Sequence, residues 1–437
     1  MSTESPHNSD HETRSQTANK ERGKPGSCRR NLFGMSLEAL EAFAVENGEK
    51  SFRGQQIFQW MYQKLLCGFD GMSNLNRPLR EKLAGIAEIR LPEIVKEQAD
   101  PEDDTRKFLV RLGDGEHIET VLIPVGGRLA LCMSSQVGCP IGCGFCATGL
   151  MGFRRNLAPG EMLGQLMLAQ DQAGEQGVST VVLMGMGEPL LNLDNVVETI
   201  HTAGSEKGLG FGARRFTIST VGLINGIRKI TEMKLKAGLA LSLHSPIQEL
   251  REQLIPLAKS NPLDDLIPAC RDYAAQQGDR ITLEYLLIAG VTDTMDCAKA
   301  LAKISNQLPC KINLIAYNPI ADAAAGIPSR RKQSRQERIP DGAKGLSHSG
   351  ERQIQTPASG FSHSGESQNP TSTSSAAGAR PQSPLDPTSF RPPTQEAIDK
   401  FRDYLYPRCP AVTFRQPKGL NIAAACGQLA TQAKKPK

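Results

Sequence analysis

Leu131-Cys132-Met133-Ser134-Ser135-Gln136-Val137-Gly138-Cys139-Pro140-Ile141-Gly142-Cys143-Gly144-Phe145-Cys146 is the stretch whose reading decides the fold. Cys139, Cys143 and Cys146 place three thiols on one short loop that Gly138, Pro140, Gly142 and Gly144 keep tight. Thiolates are the usual ligands of iron–sulfur clusters, which normally take four of them. Three ligands on a four-iron cube leave one iron open to a small molecule. The competing reading is structural zinc, which wants a closed set of four nitrogen or sulfur ligands and would recruit Cys132. A strand over Leu129–Ser134 carries Cys132 away from the loop and favours the cluster.

Downstream of that loop the chain alternates strand and helix from Leu129 to Ala316. Strands are expected at Leu129–Ser134, Thr180–Met184, Arg215–Thr220, Leu239–Leu243, Ile281–Leu287 and Lys311–Ile315, with helices near 159–172, 194–204, 223–235, 264–277 and 295–307. Six βα repeats predict an α/β fold with a parallel sheet curled into a barrel or partial barrel. In such barrels chemistry gathers on loops after the strands' C-terminal ends, and the cysteine loop follows the first strand. Other strand ends carry Gly187 and Glu188, Ser219, the run Ser242-Leu243-His244, and Asn318. Glycine lets backbone approach a ligand closely, and Glu188 could accept hydrogen bonds from an ammonium group. Taken singly, each is an ordinary turn or core residue; together they sit where a barrel keeps its site.

The flanks are simpler. Residues 1–30 are polar and read as a disordered tail. Residues 31–95 form a small helical domain, with Leu37, Leu40, Phe43 and Ala44 at helix spacing behind Ser36 as cap. Its basic residues Arg53, Lys64, Arg77, Arg80 and Lys82 suit either RNA phosphates or a solvated surface. Residues 96–128 lead into the core through a hairpin, in which Glu119 shares a face with Val121 and Ile123. The core runs over 129–321. Residues 322–393, rich in Ser, Gly, Pro and Gln and containing His348 and His363 in a repeated pentapeptide, read as a disordered insertion. Residues 394–430 supply a helix, a strand and the loop Ala423-Ala424-Ala425-Cys426-Gly427-Gln428-Leu429; 431–437 is a basic tail. On its own that cysteine reads as a packed structural residue.

Composition bounds the rest. A chain of 437 residues with 39% hydrophobic content buries a full core. Eleven unevenly placed cysteines do not make a disulfide framework. Neither a transmembrane-length apolar run nor a signal-like start is present, so no membrane association and a cytoplasmic location are expected. A net charge of +5 is too modest to establish a polyanionic partner.

The Cys-x3-Cys-x2-Cys loop with Phe145 before its last cysteine resembles the radical S-adenosylmethionine (SAM) enzymes. The longer string Ser134-Ser135-Gln136-Val137-Gly138-Cys139, continued by Phe145-Cys146-Ala147-Thr148-Gly149, resembles one branch, the RlmN-type dual-specificity RNA methyltransferases and their relative Cfr. The resemblance covers residues 36–321 and 394–430. It implies a partial (β/α)6 TIM-like barrel with a small N-terminal helical accessory domain that meets RNA. It implies a [4Fe-4S] cluster on Cys139, Cys143 and Cys146, and SAM contacts at Gly187, Glu188, Ser219, Ser242, Leu243, His244 and Asn318.

By the same resemblance Cys426 is the methyl carrier, Glu119 the proton acceptor, and Cys132 the thiol whose disulfide with Cys426 releases product. The implied reaction methylates carbon 2 of an adenosine in 23S rRNA and of the adenosine beside the anticodon in tRNAs. That carbon is electron-poor and has no lone pair for ordinary methyl displacement. A low-potential electron donor such as flavodoxin and a monomeric enzyme are expected. The alternatives are Cfr-like methylation at carbon 8, which uses the same residues, and a non-catalytic RNA-binding protein with zinc at Cys132, Cys139, Cys143 and Cys146. The chain departs from the family at Lys418 and near Asn421, where a second arginine and an acidic residue are usual, and in the 322–393 insertion.

Overall fold

The computed structural model describes residues 29–320 and 385–431. The tail up to residue 28, most of the expected insertion with His348 and His363, and the basic end after Thr431 lie outside the described residues.

Ten strands form one sheet whose spatial order follows the chain. They are β1 (Glu93–Ala99), β2 (Arg106–Arg111), β3 (His117–Val125), β4 (Arg128–Cys132), β5 (Val178–Leu183), β6 (Phe216–Thr220), β7 (Gly238–Ser242), β8 (Ile281–Leu287), β9 (Cys310–Ala316) and β10 (Val412–Arg415). β1 to β4 pair antiparallel. From β4 to β10 every pairing is parallel, the direction that helical crossovers impose. β1 and β10 do not pair, so the barrel is partial.

The helices between parallel strands fall where periodicity places them: Pro159–Ala173, Leu193–Gly204, Ile224–Glu232, Leu263–Gln277 and Met295–Ser305. Two short helices were not legible, Ala147–Met151 after the cysteine loop and Gln248–Leu254 after β7. At the N-terminal side, helices Leu37–Glu46, Phe52–Tyr62 and Arg77–Ile86 make the accessory bundle. Ser36 caps the first, accepting the Ala39 N–H at 3.2 Å. Asn76 caps the third, accepting the Leu79 N–H at 2.9 Å. The bundle shares one apolar core with the sheet: Leu40, Phe58 and Met61 join Leu131, Val181 and Ile218. Its basic residues are largely spoken for. Arg53 and Lys82 donate to the carbonyls of Asn74 and Asn47, Arg80 to that of Asp70, and Arg77 pairs with Glu81.

Residues 385–393 differ from the insertion reading. Phe390 is buried against Tyr317, ring centroids 5.8 Å apart, and the Arg391 carbonyl accepts the Ala289 N–H at 3.0 Å. Leu385 and Phe390 supply apolar surface that the Ser/Gly-rich stretch before them lacks, and it packs beneath the cysteine loop with Ile141 and Phe145.

Candidate active site

The cysteine loop leaves β4 and turns over the C-terminal ends of the strands. Gly138 has φ +76°, and a Cβ there would lie 1.9 Å from the Gly152 carbonyl oxygen, so this crossing needs glycine. Cys139 N–H donates to that same carbonyl at 2.9 Å. Ile141 and Phe145 point into a small apolar cluster with Leu254, Leu286, Ile288 and Tyr317, which fixes the loop from below.

Cys139, Cys143 and Cys146 open into one cavity of about 930 Å³, counting its mouth. Its wall includes Gly187 and Glu188 after β5, Ser219 of β6, Ser242 and His244 at β7, Glu284 of β8, and Cys426 with Gly427. These strand ends therefore line a single cavity. Two expected contacts are not in that wall. Leu243 is buried and offers its carbonyl to Arg251 Nε at 3.2 Å. Asn318 lies behind Cys426, donating to its carbonyl at 3.4 Å.

Burial, then the neighbouring thiols and Glu188, push Cys143 well up; burial pushes Cys139 up to about 12 and also raises Cys146. Three crowded, buried sulfurs become thiolates readily only beside added positive charge, as iron supplies. His244 has a left-handed backbone (φ +55°), stacks edge-on with Phe145 at 4.7 Å, and leaves a buried Nδ1 unpartnered in the cavity wall. Burial and the charge of Arg251 hold it down to about 3, so it is neutral and free to bond a ligand. Glu188 is pushed up to about 7 by burial, although its oxygens accept the N–H groups of Leu190 (3.1 Å) and Val221 (2.9 Å). Gly187, at φ +106°, lets the chain pass 2.6 Å (virtual Cβ) from the Gln136 Cβ. These residues fit a thiolate-bound cluster with a polar organic ligand alongside.

The zinc alternative fares differently. Cys132 ends β4 buried, and the thiol that acts on its titration is that of Cys426. Among the described residues no three Cys, His, Asp or Glu side chains converge as for one metal ion. A four-iron cube takes one thiolate per iron and does not require that convergence.

Cys426 reaches this cavity because its loop is docked onto the cysteine loop. Ala147 N–H donates to the Gly427 carbonyl at 2.7 Å and Thr148 Oγ1 to the Leu429 carbonyl at 2.6 Å. Gly427 has φ +84°, and a Cβ would meet the Phe145 oxygen at 3.1 Å. Cys426 is exposed and lines the cavity. Burial raises its pKa, Glu284 and Cys146 add to that, and Arg415 opposes it. Cys132 is pushed up to about 12 by burial and then by a charge on Cys426.

Glu119 stands beside the loop rather than in the cavity wall. Its Oε1 pairs with Lys107 Nζ at 3.1 Å and its Oε2 accepts the Ala430 N–H at 2.9 Å. Burial raises its pKa against the pull of Lys107. Glu284, Thr220 and Tyr317 line the cavity without having been singled out. Glu284 carried a signal, a carboxylate inside the apolar strand Ile281–Leu287; it accepts from Asn313 Nδ2 at 2.7 Å.

With this geometry in place, the comparisons are specific. Residues 30–89 match the family model described as ribosomal RNA large subunit methyltransferase N-terminal domain, and residues 133–299 match that of the radical SAM superfamily. A dual-specificity RNA methyltransferase RlmN of Oleidesulfovibrio alaskensis is 38% identical over 405 residues, covering 91% of this chain and 95% of that relative. The chain belongs to the RlmN family. An RlmN of Marinobacter nauticus is 43% identical over 306 residues, covering 68% of this chain and 82% of its own. A crystal structure of a radical SAM methyltransferase from Sphaerobacter thermophilus superposes with a TM-score of 0.72 at 34% identity, covering 92% of this chain and 99% of that one. As an RlmN-family member the chain is a radical SAM enzyme and a methyltransferase.

Proposed function

We propose that this enzyme methylates carbon 2 of a specific adenosine in 23S rRNA and of the adenosine beside the anticodon in tRNAs. The observation that carries the reading is the docking of the Cys426 loop onto the cysteine loop, which puts an accessible thiol in the same cavity as Cys139, Cys143 and Cys146. Bound there, a [4Fe-4S] cluster with SAM would supply an electrophilic methyl group and, on reduction by a low-potential donor, a 5′-deoxyadenosyl radical.

The chain's own residues do the rest. Cys139, Cys143 and Cys146 hold the cluster, and Glu188, Ser219, Ser242 and His244 orient the ligand beside it. Cys426 takes the methyl group on sulfur, with the Arg415 charge favouring its thiolate. Once that methyl group has given up one hydrogen atom, which the radical from a second SAM would accept, its carbon bonds to the adenine ring and tethers RNA to protein. Glu119, whose pKa burial raises, accepts the ring proton once one of its oxygens leaves Lys107 or the Ala430 N–H and turns to the cavity. Cys132, as thiolate, then attacks the Cys426 sulfur while the carbon–sulfur bond breaks; the freed carbon takes a proton to complete the methyl group, and the remaining odd electron would return to the cluster, leaving a Cys132–Cys426 disulfide.

Among the described residues no helix is long and apolar enough to cross a membrane; work on rRNA and tRNA fits a cytoplasmic enzyme. The test is mass spectrometry of ribosomal and transfer RNA from cells with and without the gene. Loss of 2-methyladenosine on deletion supports the reading, and loss of 8-methyladenosine instead would replace it with the Cfr-like one.

A further inference from the structure

Lys418 and Asn421 meet the same turn between β1 and β2. Asp100 is buried there. Its Oδ2 accepts the backbone N–H of Asn421 at 3.0 Å, and its Oδ1 accepts Asn421 Nδ2 at 3.0 Å and the Glu102 N–H at 3.0 Å. Three residues on, Asp103 Oδ2 accepts the Gly419 N–H at 2.8 Å. Partial burial works against the Asp103 charge, but hydrogen bonds from Thr105 and Gly419 and the nearby Lys418 outweigh it and hold its carboxyl low.

These contacts grip the chain five to seven residues before Cys426. Gly419 and Ala423 bracket the short turn Leu420–Ile422 and both have left-handed backbones, at φ +69° and +50°. That conformation is unfavourable for alanine and needs support from its surroundings. Lys107 supplies more, donating to the Ala423 carbonyl at 3.1 Å.

We infer that Asp100 and Asn421 are a matched positioning pair, which latches the β1–β2 turn to the Cys426 loop and sets where its thiol stands. An aspartate at 421 would put an oxygen where Nδ2 now sits, leaving two carboxylates about 3 Å apart with no donor between them. An amide therefore suits the carboxylate of Asp100 at this position. Lys418 has only to present a point charge to Asp103, so a bidentate guanidinium is not required there.

The positioning role rests on Cys426 being the methyl carrier; the latch itself does not. Full-length protein, reconstituted with its cluster under anaerobic conditions, is compared as N421A, N421D and D100N/N421D. Two readouts are used: amide hydrogen exchange over 419–425 and the rate of Cys426 methylation from SAM. N421A keeps the backbone bond to Asp100 and is expected within about 3-fold of the parent in exchange, whereas N421D is expected to exchange about 10-fold faster or more. The swapped pair regains a donor facing a carboxylate but gives up one backbone acceptor at residue 100, so it should recover part of that loss in both readouts. Equal behaviour of N421A and N421D, or no recovery in the swap, overturns the pairing. If N421D does not fold, recovery of folding in the swap supports the pair and its absence overturns it. Exchange that follows the expected order while even the parent leaves Cys426 unmethylated keeps the latch and removes the carrier reading.

Discussion

Replacing Lys107 by methionine tests the buried pair at the edge of the site. Lys107 Nζ lies 3.1 Å from Glu119 Oε1 and 3.1 Å from the Ala423 oxygen, and both charged side chains are 8% exposed. Methionine keeps most of the aliphatic stem but leaves Glu119 with the Ala430 N–H as its remaining side-chain partner. Breaking a buried pair by removing one member costs about 3–5 kcal/mol, because the other charge stays uncompensated. The sign of the pH dependence follows from Glu119. Its carboxyl already lies above its ordinary value through burial, and Lys107 is what pulls it down. Without Lys107 it rises further. A carboxyl whose folded value exceeds its unfolded one costs nothing while protonated and destabilises as pH climbs through the folded value. Urea unfolding followed by circular dichroism should therefore show a larger gap between K107M and parent at pH 8 than at pH 5. Adding Glu119→Gln removes the stranded charge and should recover much of the loss. A gap below about 1 kcal/mol at pH 8 would contradict the buried-pair estimate, as would equal gaps at both pH values.

Cys132→Ala retains the carrier but lacks the resolving thiol, so RNA should remain covalently attached to Cys426, visible as a band shifted on a denaturing gel; free methylated RNA at the parent rate would exclude that role. Gly427→Ala forces a side chain into a φ of +84° against the Phe145 oxygen, which should destabilise the docked loop by about 1–3 kcal/mol and slow methylation of Cys426 in proportion. Changing His244 to phenylalanine keeps its packing on Phe145 but removes the free Nδ1. Weaker SAM binding by calorimetry with unchanged iron content is expected, and unchanged affinity would show that this nitrogen does not contact the ligand.

The sheet was legible because strands such as Val178–Leu183 and Ile281–Leu287 are short apolar runs set between helical patterns, and their ends mark the site whatever the helices do. Glycines at 138 and 187 could be read in the same way, since close approach leaves few alternatives. Contacts that join distant parts of the chain were not legible. Nothing near Lys107 announces that a lysine in a hairpin will be buried against Glu119 and the Ala423 carbonyl. Arg251, in a short helix that the sequence did not announce, is fully buried and donates to the carbonyls of Leu243 and Val221. Phe390 closes the underside of the cysteine loop from beyond the insertion, a placement that composition of the preceding stretch obscured. Local pattern thus located the strand-end residues, while the pairings that aim them depend on tertiary folding.

The central claim is that the Cys426 sulfur carries the methyl group. Reconstituted protein incubated with methyl-labelled SAM and digested with trypsin should release the peptide beginning at Gly419 with one labelled methyl on Cys426, and RNA added afterwards should acquire that label. Labelled RNA from protein in which Cys426 never bears a methyl group would contradict the account.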